Sequence, residues 1–324
     1  MTTSSYTPSQ IAGMGTSIAG LATDIIQGFT TAQIAAITAA QAKVLTTDEM
    51  SALTTANVVG LGSAAVAALG ADQIAALSTA AFGKLGSSQV GALSTASVAV
   101  LTAGEVAAQI GSLKPAQIAA VGIDAISGLT TAQVTALSTA TVAALSTAQI
   151  TGGLTSAQVG VLGSGQVAAL SAAQAKVLTT DEMSALTTAN VVGLGSAAVA
   201  ALSSDQVSAL SSADILHMGT QQVLALTSDS IGVLTAAEIP GLGSAILSAL
   251  STAQFAAIAV DAIQGLTSAE VRSLSTKEVA AFTTDQLNAL TTTAVAGFTT
   301  TQTGAFTNAQ ILGMTSQTQT NIFG

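Results

Sequence analysis

Apolar and hydroxyl-bearing positions recur along this chain with a period of eight residues. Within one octad, position 1 is Ser, Thr or Gly, position 4 is most often Gln or Glu, and position 5 is Val or Ile. Position 7 is Ala or Gly and position 8 is Leu; residues 130–137, Thr-Thr-Ala-Gln-Val-Thr-Ala-Leu, are a clean copy. Octads run unbroken over 22–109, 114–153 and 155–314. Self-similarity at a fixed period is the strongest architectural signal a sequence can carry.

Ser or Thr followed three residues later by Gln or Glu is a capping box, in which the two side chains satisfy each other's backbone N–H groups at a helix N-terminus. Position 1 is therefore an N-cap, with Gly as a substitute cap at places such as Gly62 and Gly163. Pro8 and Pro115 fall at position 2, the first helical site, where proline's missing donor costs nothing. Pro240 falls at position 6 and predicts a bent or shortened unit.

One long helix does not fit this period. Eight residues advance a helix by about 80° beyond two turns, so positions 5 and 8 would spiral around it. Within a single octad those two positions share a face. The pattern predicts an all-α solenoid of very short capped helices, one per 8-residue repeat. Burial of two apolar side chains cannot offset the ordering of eight residues, so neighbouring coils must support each other. Small residues at position 7 let backbones approach closely. The alternative is a β-solenoid, which Thr and Val suit but Ala, Gln and the absence of period-2 alternation oppose.

Along the chain, 1–21 reads as an N-terminal entry or cap segment, 22–314 as the octapeptide array, and 315–324 as a C-terminal tail that leaves the pattern. Two register breaks interrupt the array, four extra residues at 110–113 and one extra leucine near 153–154, both expected as loops or kinks. Residues 39–69 recur unchanged as 172–202, which indicates segmental duplication. Near the end, Phe282, Phe298 and Phe306 replace Leu at position 8, and Phe323 stands in the tail. Terminal repeats are atypical because they cap an open core. These four phenylalanines are the candidate assembly contacts.

Composition narrows the function. Aromatics make up 2% of the chain and cysteine is absent, so the core is thin and no disulfide or thiolate metal site exists. A net charge of −10 argues against nucleic acid, whose binding rests on basic side chains. No uninterrupted apolar run reaches the roughly 20 residues a transmembrane helix needs. The first residues lack the basic and apolar regions of a cleavable signal peptide.

Little in the sequence resembles a reaction centre. His217, the single histidine, follows Asp214 by three residues, but no further partner group accompanies the pair. The acidic pairs Asp48-Glu49 and Asp181-Glu182 occupy the first helical turn, where they complement the helix dipole. They fall short of the six to eight oxygens calcium takes. No catalytic, cofactor or metal residue is expected. The paired hydroxyls at positions 1 and 2, as in Thr46-Thr47, would line up in rows able to engage ice, glycan or another surface.

The segments Thr7-Pro8-Ser9-Gln10-Ile11 and Lys114-Pro115-Ala116-Gln117-Ile118 resemble the opening of a TAL-effector repeat, a likeness that shared capping chemistry accounts for. Over almost the whole chain, tracts such as 129–145 resemble the Leu-Thr-Thr-Ala-Gln-Val-x-Ala-Leu octapeptide repeats of bacterial secreted and cell-surface proteins. That resemblance implies an exported structural protein, extracellular or attached to the cell surface without a cleavable signal. The expected function is self-assembly, head to tail or laterally, into a filament, sheath or surface layer. A surface-binding solenoid using the Ser/Thr rows is the alternative.

Overall fold

The computed structural model describes residues 5–324, and it is helical throughout: no strand occurs among the described residues. Helices of four to eight residues follow one another, one per octad, with occasional 3-10 turns. The β-solenoid alternative is thereby discarded. The chain forms two compact units, Met1–Gln158 and Val159–Gly324, each a helical solenoid.

Local structure follows the capping chemistry. In helix Thr31–Ala35, the Thr30 hydroxyl accepts from the Gln33 N–H at 3.3 Å, and Gln33 Oε1 accepts the Thr30 N–H at 2.8 Å. Where glycine is the cap, half of this exchange remains: the Gly70 N–H still donates to Gln73 Oε1 at 2.8 Å. Thr7 caps helix Pro8–Gly13 in the same way, with Pro8 in its first turn. After most helices the position-8 residue is extended, as at Leu69 and Leu145, and this resets the chain for the next cap; Leu242, after the proline-containing helix, stays helical.

Positions 5 and 8 form the core. Ile34, Val90 and Val142 are fully buried, as are Val223 and Val279 in the second unit; the position-8 leucines are nearly so. In the first unit Ala39–Ala42 packs on Ser63–Ala68, and Thr47–Ser51 on Ala71–Ala75. In the second, Ser228–Ile231 packs on Thr252–Ala257. Each helix therefore lies against the helix three octads away, and the stacked coils share burial that no single octad could supply.

Pro240 shortens its unit. The helix there, Glu238–Gly241, begins two residues later in its octad than usual, which places proline inside the first turn where no intrahelical donor is needed. The tail also differs from the sequence reading. Thr315 caps an eight-residue helix, Ser316–Phe323, and Thr318 is buried at its fourth octad position.

Neither register break is a loop. At the first, helix Ala103–Gln109 runs directly into a 3-10 turn, Ile110–Ser112, and Leu113 is buried. Residues 106–113, with Gln109 fourth, Ile110 fifth and Leu113 eighth, form an octad that overlaps the one before it by four residues. At the second, helix Thr147–Gly153 gains a residue, and the Leu154 N–H reaches back five residues to the Gln149 carbonyl. Leu154 then takes the buried position-8 place.

Candidate functional site: the inter-coil ladder

The most specific chemistry in this protein lies at position 4. The glutamine there caps its own helix through Oε1, and its Nε2 points inward to the backbone of an earlier coil. Gln73 Nε2 donates to the carbonyls of Ala42 at 2.8 Å and Leu45 at 2.6 Å. Gln149 reaches Ile118 at 2.8 Å and Val121 at 2.7 Å. In the second unit Gln222 bonds Val191 and Leu194, and Gln310 bonds Val279 and Phe282. The acceptors stand 31 and 28 residues earlier, at positions 5 and 8 of the fourth octad back. Helix packing therefore joins each octad to the third one away, and the amide ladder joins it to the fourth.

The position-8 carbonyl needs this partner. Its residue is extended between two helices, so no helical N–H reaches it, yet it is buried. An unpaired buried carbonyl costs about 1–3 kcal/mol. Glutamine also satisfies the cap N–H, so one side chain closes three backbone groups at each coil joint.

Asparagine and serine can take over this role. Asn57 and Asn190, equivalent residues of the duplicated segment, have a shorter arm; Asn57 Nδ2 reaches Ile26 and Phe29 at 3.3 Å each, and Asn190 Nδ2 reaches Leu162 at 3.1 Å. In both octads a 3-10 turn ends at a position-7 glycine, Gly60 or Gly193. A Cβ on either would overlap a backbone carbonyl of the packed coil, that of Thr31 or Ser164. The short arm works because the coil sits closer. Ser97 Oγ makes the same contact to Leu69.

The ladder also tracks the register breaks. Gln109 bonds Leu85, and Gln117 bonds Leu93, both 24 residues earlier. Gln158 bonds Leu129, 29 residues earlier. The first break is thus a loss of four residues from the regular spacing, and the second a gain of one. Reading 110–113 as four extra residues is corrected by this geometry.

Position-2 hydroxyls are partly used between coils. Thr31 Oγ1 donates to the Ala56 carbonyl at 3.2 Å, and Ser212 Oγ donates to Glu238 Oε1 at 2.8 Å. Others, among them Thr47, Thr131 and Thr147, are exposed.

The four phenylalanines singled out in the sequence come together in the second unit, joined by Phe255. Edge-to-face contacts run from Phe255 to Phe282 at 4.9 Å, to Phe298 at 6.1 Å, to Phe306 at 5.2 Å and to Phe323 at 5.9 Å. Phe282 and Phe306 are buried and Phe298 is half-buried, whereas Phe323 is 49% exposed. This stack holds the last coils together, and only Phe323 presents a ring outward.

His217 and Asp214 do not meet. Asp214 turns inward to its cap, Ser211, while exposed His217 places Nδ1 2.7 Å from the Ala213 carbonyl. In each acidic pair the aspartate is exposed and the glutamate is buried at position 4. Burial pushes the Glu182 carboxyl above its usual range; bonds from Thr179 oppose that and the Asp181 charge adds to it. Asp24 and Asp48 line an open groove with Thr23, Gln27 and Ser51. Among the described residues no three His, Cys, Asp or Glu side chains group as metal ligands. No helix there is long and apolar enough to cross a membrane.

Short capped helices, a shared apolar core and a side-chain ladder at a fixed spacing define a repeat protein of the α-solenoid class. The chain belongs to the ALTTAQ repeat family: the family model matches residues 47–79, 126–164, 178–212, 256–292 and 279–316, together just over half of the sequence. The matched signature joins positions 7 and 8 of one octad to positions 1–4 of the next, across the extended link and the cap. No curated protein matches the chain.

Proposed function

We propose that this protein is a non-catalytic structural element that self-assembles outside the cell, head to tail or laterally, into a filament, sheath or surface layer. The observation that carries the reading is the polarity of the ladder. Each octad with a position-4 glutamine offers an amide donor on the side facing earlier residues, and its acceptors are carbonyls on the side of an earlier coil facing later ones. Such faces are complementary to each other and not to themselves, so contact between copies would be heterologous. Heterologous contacts whose rotation does not close generate open filaments. Exposed Leu312 and Phe323 add apolar surface in the last two octads. Exported bacterial repeat proteins of similar octad pattern favour the extracellular placement.

Negative-stain electron microscopy of the purified protein, with sedimentation across a concentration series, tests this. Filaments or layers are expected, and Leu312→Glu with Phe323→Glu should disperse them while leaving the helical circular dichroism intact. Monodisperse monomers at the highest soluble concentration would refute it. The second reading, a surface-binding solenoid for ice or glycan, is favoured by exposed position-2 hydroxyls such as Thr47, Thr131 and Thr147. Replacing those three by Val should abolish such binding and spare assembly.

A further inference from the structure

All six glutamates of this chain stand at position 4, and all six are buried. That site is where glutamine donates Nε2 to two carbonyls of an earlier coil. An ionised carboxylate has nothing to donate there. Its cap-facing oxygen still works: Glu49 Oε2 accepts from the Thr46 N–H at 2.7 Å, and Glu105 Oε2 from the Thr102 N–H at 2.9 Å. Glu270 and Glu278 bond their caps Thr267 and Ser275 in the same way. At Glu49 the other oxygen is the mismatch: Oε1 is buried with no hydrogen-bond partner. By the ladder spacing it occupies the donor's place opposite the carbonyls of Ile18 and Leu21. At Glu238 the second oxygen is partnered, because Ser212 Oγ donates to its Oε1.

We propose that Glu49 is an acid-operated rung of the ladder, completing its inter-coil hydrogen bond only when its carboxyl carries a proton. A neutral carboxyl has one O–H donor and is nearly the shape of the glutamine amide, so protonation restores the bond that the neighbouring repeats make permanently. Ionised, it sets negative charge against carbonyl oxygens in a buried place. The solenoid is therefore tighter at this joint when the carboxyl carries its proton than when it is ionised.

The surroundings of Glu49 reinforce this. The helices packed against its own, Thr23–Gln27 and Ala71–Ala75, bring Asp24 and Asp72, and its own helix carries Asp48.

The test compares urea unfolding midpoints of the full chain at about pH 3 and about pH 7.5, on either side of ordinary carboxylate titration. The variant carries Glu49→Gln, and folding is safeguarded because glutamine is the common residue at this position. It should gain stability at the higher pH, change little at the lower one, and so depend less on pH than the wild type. A matched control, Asp48→Asn, makes the same charge change at an exposed site of the same helix and should keep that dependence. An unchanged pH dependence in the glutamine variant, or equal flattening in the control, overturns the proposal.

Discussion

Truncating one rung measures what the ladder contributes. Gln73→Ala removes three hydrogen bonds, from the Gly70 N–H at 2.8 Å and to the Ala42 and Leu45 carbonyls at 2.8 and 2.6 Å. The Ala42 carbonyl keeps the Leu45 N–H as a partner, so two backbone groups, Leu45 O and Gly70 N, are stranded. At roughly 1–3 kcal/mol for each unsatisfied buried group, less what water recovers in the cavity, the loss should be about 2–4 kcal/mol. Gln133→Ala is the control, since Gln133 is half-exposed and its one bond, among the described residues, is from the Thr130 N–H at 2.7 Å. That change should cost about 1 kcal/mol, the value of a cap partner. Because repeat arrays unfold locally, amide hydrogen exchange is the better assay. In Gln73→Ala, protection should fall at Gly70 and through the helices of residues 39–42 and 71–75, and remain elsewhere. Equal effects of the two substitutions would mean that the glutamine is only a cap.

Other consequences can be checked alongside it. Gly60→Ala and Gly193→Ala force a Cβ into a backbone carbonyl and should each cost about 1–3 kcal/mol in urea unfolding, whereas Gly111→Ala, with open space around it, should be near neutral. Phe255→Ala, fully buried at the start of the aromatic stack, should cost about 3–5 kcal/mol, against less than about 1 for half-exposed Phe323→Ala. For Glu182, whose carboxyl is pushed up by burial, the folded state holds the proton more tightly than the unfolded chain. Its contribution is therefore full below the ordinary carboxylate value and is lost as pH rises through the raised one, so Glu182→Gln should raise the melting temperature more at neutral than at acidic pH.

Much of this architecture is legible before any coordinates. The caps at Thr30, Thr46 and Thr130, the buried faces at positions 5 and 8, and the close approach at position 7 all follow from local rules that act within one octad. The ladder does not, because its two ends lie some thirty residues apart and the capping box already gives the glutamine a sufficient local reason. One signal remains visible: a capping box accepts Glu as readily as Gln, so the predominance of Gln at position 4 points to a donor requirement. The first register break misleads for a similar reason. Residues 102–109 fit the octad pattern at positions 1, 4 and 5, the overlapping residues 106–113 fit it at positions 4, 5 and 8, and only the contact of Gln109 with Leu85 decides between them. The phenylalanines are legible as terminal and unusual, but their burial against one another requires the coil.

The central claim is that position-4 amides tie each octad to the fourth one before it. Nuclear Overhauser spectra of the side-chain amides, assigned on the full chain, test it most directly. Slowly exchanging Nε2 protons are expected on Gln73 and Gln222, with cross-peaks to residues 42–45 and 191–194, respectively. Rapid exchange of those protons with solvent, with contacts confined to their own octads, would contradict it.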